Sequence, residues 1–278
     1  MNPLRKLIRE LYGIWQVADR RSFRKYLLCM LMSAREVIPQ KSLLPADRRM
    51  RGTLCRFSVG GGKTVVLDGQ FFGGARELYV RRAYFSLPGF EIGSNDVVVD
   101  VGANVGVFTV AAATCGSRVL AIEAQSQFIP IIEANLKQNG CREKVALECA
   151  LIGSREGVFS RVENRQMASH WGREPAELAL DDLVNKHGLE RIDFLKLDIE
   201  GSEFDLFRDG GGWLEKVRRI AMEVHPEFGD AAWLRDRLTT AGFRVWLMDL
   251  DQRPVSALGA RMGYLFARRE GHALTTRP

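Results

Sequence analysis

An open, mostly parallel α/β sheet with helices on both faces is the fold this sequence predicts, carried behind a helical and hairpin extension. From residue 97 onward, short apolar runs of strand length alternate with stretches of helix periodicity, the pattern of strand–helix–strand units laid side by side in one sheet. The 278 residues are 46% hydrophobic and 27% charged, with 9 prolines, which excludes disordered, collagenous and fibrous chains. A chain of this length also buries enough apolar surface to fold without disulfide or metal staples.

The elements follow in order. Residues 3–18 set Leu4, Leu7, Ile8, Leu11, Trp15 and Ala18 on one helical stripe, and residues 22–38 do the same with Phe23, Leu27, Met30, Leu31, Ala34 and Ile38. Residues 54–67 (LCRFSVGGGKTVVL) read as a hairpin turning at Gly60 to Lys63. Its GGGKT string is no phosphate loop, because Phe57 stands where that motif requires glycine and no helix follows. Strands are expected at residues 97–101, 118–123, 144–149, 192–197, 218–224, 243–248 and 263–268, and helices at 106–115, 127–139, 179–187, 203–209 and 230–241. The last two strands lack an intervening helix and read as a hairpin, so one of them runs antiparallel. Three segments result: a basic extension over 1–74, the main domain over 75–270, and a frayed tail over 271–278.

The net charge of +6 is unevenly spread, since residues 1–56 hold 13 basic and 4 acidic side chains while the remainder holds 27 and 30. The basic excess on the first two helices suits either a lid packed on the domain, the commoner use of amphipathic helices, or attraction to an anionic membrane surface or glycan. Five scattered cysteines without metal-binding spacing point to a reducing, cytoplasmic setting. Arg5, Lys6, Arg9 and Glu10 break any signal-peptide core, and no run of apolar residues is long enough to span a bilayer.

In an open α/β sheet, ligands bind beyond the carboxyl ends of the strands. Those ends are rich in acids here: Asp100 before Gly102, Asn104 and Gly106; Glu123; Asp198 and Glu200; Glu223 with His225. VVVDVGANVGVFTVAAA (97–113) is a buried strand, a glycine turn and a helix start whose N–H groups suit a carboxylate or phosphate. The glycine spacing is not that of dinucleotide folds. Asp100 would repel a pyrophosphate but favour a ligand carrying ammonium and sulfonium charges. S-adenosylmethionine meets that demand, with its amino group toward Asp100, its carboxylate at the helix start and its ribose diol at Glu123.

DVGANVG, LDDL (180–183), DFLKLDIEGSE (193–203) and AMEVHPEF (221–228) resemble the FkbM family of S-adenosylmethionine-dependent methyltransferases over roughly residues 75–250. The resemblance implies a Rossmann-like, seven-stranded class I methyltransferase sheet, mostly parallel with one antiparallel strand, and O-methylation of hydroxyls on sugars and polyketides. Position by position it carries Asp100, Gly102, Asn104 and Gly106 to the cofactor loop and Glu123 to the ribose-binding acid, matches Asp198, Glu200 and Glu203 to the DIEGSE acids, and matches Glu223 and His225 to the pair after the fifth strand. CALIGSREG (149–157) departs from the more polar start of this segment in relatives, which leaves the adenine contacts open, with Ala150 and Leu151 as the candidates.

A sugar hydroxyl needs a general base or a divalent cation to become a nucleophile. His225 is the expected base, flanked by Asp198 and Glu200, because an imidazole titrates near pH 6.5. An alternative gathers Asp198, Glu200, Glu223 and His225 around Mg²⁺ or Mn²⁺. Glu203 is read as a helix-start acid favouring the dipole, and His170 and Trp171 as acceptor-pocket or loop residues. The competing function is a catalytically inactive cofactor-binding scaffold whose basic N-terminus holds a membrane or glycan surface. Nicotinamide chemistry is disfavoured by Asp100 and the glycine spacing, and nucleic-acid methylation by the lack of a basic aromatic groove in the main domain.

Overall fold

A computed structural model describes residues 3–153 and 175–271. The extension opens with α1 (Pro3–Val17), α2 (Arg20–Met32), α3 (Ala34–Gln40) and α4 (Leu44–Arg49), then the hairpin β1 (Leu54–Gly60) and β2 (Lys63–Asp68). A short helix, α5 (Phe72–Ala75), runs into a wider turn over Arg76–Val80. The single helix expected over 22–38 is two. It breaks at Ser33, which is fully buried at φ −101° and accepts a hydrogen bond at its hydroxyl from Arg49 Nε at 2.8 Å. The stripe expected on α1 also divides: Leu7, Leu11 and Ala18 pack on the core beside the fully buried Ile14, which the stripe did not include, whereas Ile8 and Trp15 face solvent. Glu10 sets that rotation, because its carboxylate is buried against Arg76 and Arg81.

The main sheet comprises β3 (Val97–Val101), β4 (Arg118–Glu123), β5 (Val145–Leu151), β6 (Ala176–Glu177), β7 (Phe194–Leu197), β8 (Arg219–Val224), β9 (Phe243–Met248), β10 (Pro254–Val255) and β11 (Gly263–Arg269). Its order is β10-β9-β11-β8-β7-β3-β4-β5-β6. Neighbours from β5 through β8 pair in parallel. β11 runs antiparallel between β8 and β9. Without the short edge strands β6 and β10, seven strands remain, one of them reversed, the Rossmann-like class I methyltransferase arrangement expected from the sequence.

Strand alternation sends Val98 and Val99 to opposite faces, and both faces are covered. On one lie α6 (Val107–Cys115), α7 (Ile129–Gln138) and the extension, with Ile14, Tyr26, Phe57 and Phe72 in the same apolar cluster as Phe108 and Phe194. On the other lie α8 (Leu180–Lys186), α9 (Glu203–Asp209) and α10 (Ala231–Thr240), through Leu183, Phe207, Leu234 and Leu238. The expected tail beyond Gly271, and His170 with Trp171, lie outside the described residues.

Candidate active site

Three polar groupings occupy the carboxyl ends of β3, β4, β7 and β8. The first is built on the β3–α6 turn. Gly102 sits at φ +78°, and a Cβ there would stand 1.8 Å from the Asp198 carbonyl oxygen, so glycine alone lets the loops after β3 and β7 touch. The next residues fold back on β4. Ala103 N–H donates to Ile122 O (3.0 Å) and Asn104 N–H to Glu123 Oε2 (2.6 Å), while Gln125 N–H donates to Glu123 Oε1 (2.7 Å). Burial raises the Glu123 pKa above the ordinary carboxylate value, against the pull of those two donors. Gly106, at φ +81°, opens α6 without any side-chain cap, so the first N–H groups of the helix have no side-chain acceptor from the cap residue.

The second grouping centres on Lys196, which the sequence reading passed over. Asp100 and Lys196 are register partners on adjacent strands. Lys196 Nζ donates to Gly102 O (2.6 Å) and lies 3.1 Å from Asp100 Oδ1 and 4.0 Å from Asp198 Oδ2. Thr109 Oγ1 donates to the other oxygen of Asp100 at 2.5 Å. Asp100 is fully buried. The ammonium it holds in this structure is therefore that of Lys196, whereas the sequence reading set the carboxylate open to a ligand. Burial disfavours the charged lysine, but Asp100 and Asp198 outweigh it and keep the Lys196 pKa above the ordinary lysine value. A polar residue in FLKL, a strand covered on both faces, was the available signal: a buried lysine demands a carboxylate, and the strand beside it offers one.

Tyr84, also unforeseen, extends this grouping. Its hydroxyl lies 3.1 Å from Asp198 Oδ2 and 3.4 Å from Glu223 Oε2. Tyr264 reaches Glu77 alongside, at 3.3 Å. Burial first, and then the charges of Asp198, Glu77 and Glu200, push the Glu223 carboxyl up to about 9.

The third grouping is a histidine–carboxylate dyad. Glu203, the first residue of α9, is fully buried. Its Oε1 accepts from His225 N–H (2.8 Å) and lies 2.9 Å from His225 Nδ1, and its Oε2 accepts from Gly201 N–H (2.8 Å). Such a contact assigns the ring proton to Nδ1 and leaves Nε2 as the basic nitrogen. Nε2 lies 3.6 Å from Glu200 Oε2, on a side chain that is largely exposed. Glu203 is thus more than a dipole-favouring acid: it fixes both the backbone and the ring of the expected base.

Residues 100–245, a little over half of the chain, match the Methyltransferase FkbM domain. The chain belongs to this family. It therefore carries an S-adenosylmethionine-dependent methyltransferase domain of the FkbM type. Among named relatives, Methyltransferase 1 of Beauveria bassiana is 22% identical over 245 residues, covering 77% of this chain and 95% of that protein. Methyltransferase sdnD of Sordaria araneosa is 25% identical over 195 residues, covering 55% and 75%. The AMB antimetabolite synthetase AmbE of Pseudomonas aeruginosa is 28% identical over 222 residues, covering 61% of this chain, which spans only 10% of that synthetase. Among solved structures, the METTL16 methyltransferase domain aligns with a TM-score of 0.44 and 16% identity, over 65% of this chain and 62% of that one.

The FkbM domain's residues fit its cofactor. The uncapped start of α6 suits a carboxylate, and the backbone turn from Gly102 to Gly106 is held against Glu123 at the strand end where a ribose diol would be met. They do not fit a divalent cation. Among the described residues no three His, Cys, Asp or Glu side chains form a ligand set; His225 Nδ1 faces Glu203, while Glu223 and Asp198 lie against the Tyr84 hydroxyl. Ala150 and Leu151, expected at the adenine, are buried within β5.

Proposed function

We propose that this chain is an S-adenosylmethionine-dependent O-methyltransferase whose acceptor is a hydroxyl of a saccharide or a related polyhydroxyl or polyketide compound. The observation that carries the reading is the buried Glu203–His225 pair at the end of β8, a base held in one tautomer by a carboxylate. The cofactor, when bound, supplies an electrophilic methyl group on a sulfonium. What remains for the protein is to align the acceptor and remove its proton.

With the cofactor bound, His225 Nε2 would take the proton of the acceptor hydroxyl as that oxygen becomes methylated, and Glu203 would stabilise the imidazolium that results. Glu200 borders this position, 3.6 Å from Nε2, with a carboxylate suited to a neighbouring hydroxyl of a polyol. The acid excess at the strand ends also favours a cofactor bearing sulfonium and ammonium charges. The five cysteines are unbridged, in keeping with a cytoplasmic setting.

Calorimetric titration with S-adenosylmethionine, S-adenosylhomocysteine and NADH tests the cofactor, and release of S-adenosylhomocysteine over a panel of free and polyketide-linked sugars tests the acceptor. Binding of the first two alone, with sugar-dependent turnover, is expected. Turnover that EDTA abolishes would favour the cation mechanism, and cofactor binding with no turnover on any hydroxyl acceptor would return the scaffold reading.

A further inference from the structure

Among the described residues, nine of the eleven large apolar side chains left exposed lie in the first 56 residues. On α1, Ile8, Tyr12 and Trp15 stand at i, i+4 and i+7, an apolar rib on the side opposite Ile14, with Ile8 and Trp15 each 57% exposed. On α2, Leu28, Leu31 and Met32 continue the exposed apolar surface, and Ile38 on α3 is 72% exposed. Packing against the domain explains the inner faces of these helices and leaves the outer apolar residues without a partner.

The charge around them is more one-sided than composition suggests. Of the four acids in this segment, Glu10 and Asp47 are buried against Arg76, and Asp19 caps α2. Glu36 alone is open to solvent. Arg5, Lys6 and Arg9 border the α1 rib, and Arg20, Arg21, Arg24 and Lys25 line the first turns of α2, all of them exposed. Lys6 and Arg9 share Asp251 at 3.4 and 3.6 Å. The four cations of α2 have no ion pair among the described residues.

We infer that the outer face of α1–α3 docks the protein onto an anionic lipid surface. Each alternative occupant satisfies only half of the pattern. A soluble polyanion uses the cations but has no use for Ile8, Trp15 and Leu31. A second copy of the chain covers the apolar rib but sets one cationic face against another. A bilayer surface with anionic headgroups takes both: the indole and phenol rings settle at headgroup level, the aliphatic side chains enter the acyl boundary, and the arginines meet phosphates. Among the described residues no helix is long and apolar enough to cross a membrane, so the contact is peripheral. This inference is independent of the chemistry proposed for the strand ends.

The test is flotation of the full-length chain with phosphatidylcholine vesicles with and without phosphatidylglycerol. Anionic vesicles are expected to bind it at least about tenfold better and to lose it as salt rises. The R20Q/R24Q variant should weaken binding by about fivefold per charge removed. The I8S/W15S variant, whose substitutions are at exposed positions and whose fold is checked by thermal melting, should weaken binding to the same vesicles as well. No preference for anionic vesicles overturns the inference. So does binding indifferent to I8S/W15S, since charge alone would then hold the protein. A dimer in solution that I8S/W15S converts to monomer, with no change at vesicles, assigns the face to a second copy and overturns it too.

Discussion

The molecule buries two clusters of charge, and they are built on opposite plans. In the extension, Arg76 binds Glu10 and meets Asp47 at 2.7 Å, Arg81 holds the other oxygen of Glu10 at 2.7 Å, and Tyr26 donates to Asp47 at 2.8 Å. Two guanidiniums face two carboxylates. Although burial works to raise the Glu10 pKa, the arginines reverse it and hold the acid below its ordinary value. At the strand ends one ammonium, Lys196, serves Asp100 and Asp198, while burial and the charges of Asp198, Glu77 and Glu200 push the Glu223 carboxyl upward instead. A balanced cluster is a joint, locking α1 and α4 to the turn that leads into the main domain. An unbalanced one is incomplete by itself, and in a strand-end cleft it marks where a cation or a proton belongs.

The largest effect expected from this comparison is at the joint. Arg76→Leu leaves the buried Asp47 without a charged partner and Glu10 with Arg81 alone, and should lower unfolding stability by about 3–5 kcal/mol in urea denaturation, with the extension released first. A loss below about 1 kcal/mol would show that water reaches the acids and that the joint is an ordinary surface network. Lys196→Met comes next. It leaves Asp100 buried opposite an apolar side chain and should lose about 3 kcal/mol. Because Lys196 also anchors the Gly102 carbonyl, the variant should bind S-adenosylhomocysteine more weakly at temperatures where it is still folded; unchanged affinity would confine Lys196 to stability.

The contrast was only partly legible in the sequence. The strands at Val97–Val101 and Arg118–Glu123 fall on their expected bounds, because a strand covered on both faces reads as an unbroken apolar run. The glycine turn was legible because Gly102 and Gly106 take backbone angles that other residues resist. Contacts between segments distant in the chain were not. Nothing local to RELYV says that Arg76 reaches Glu10 and Asp47, so the rotation of α1 and the outward turn of Ile8 and Trp15 were hidden. Glu203 looked like a helix-start acid because its helix position was visible and its hydrogen bonds to His225, just past the end of β8, were not.

Glu203→Gln sharpens the comparison inside the strand-end cluster. The amide still accepts from the His225 backbone N–H but cannot stabilise an imidazolium, so kcat should fall roughly tenfold to a hundredfold. The amide nitrogen meets the Gly201 N–H that Oε2 accepts in the parent, so the melting temperature should fall modestly, while cofactor affinity should stay near that of the parent. An equal loss in cofactor affinity would make Glu203 a support for the whole loop from Glu200 to Ser202, with no separate part in proton transfer.

Glu223→Gln should have the smallest effect, and its sign depends on pH. The folded carboxyl titrates near 9 and an unperturbed one near 4.5, so between those values the native protein keeps a proton that the unfolded chain has released. The stability tied to that proton is full below pH 4.5 and is lost as pH rises toward 9. The amide that replaces the carboxyl is neutral throughout and escapes the loss. Parent and variant should melt together near pH 5 and diverge above it, the variant ahead by about 1 kcal/mol at pH 9, a discounted figure because the side chain still reaches solvent. A difference that stays flat with pH would mean that Glu223 is already ionised beside Asp198. The acid excess of the strand ends would then be borne by water, and the asymmetry between the two clusters would disappear.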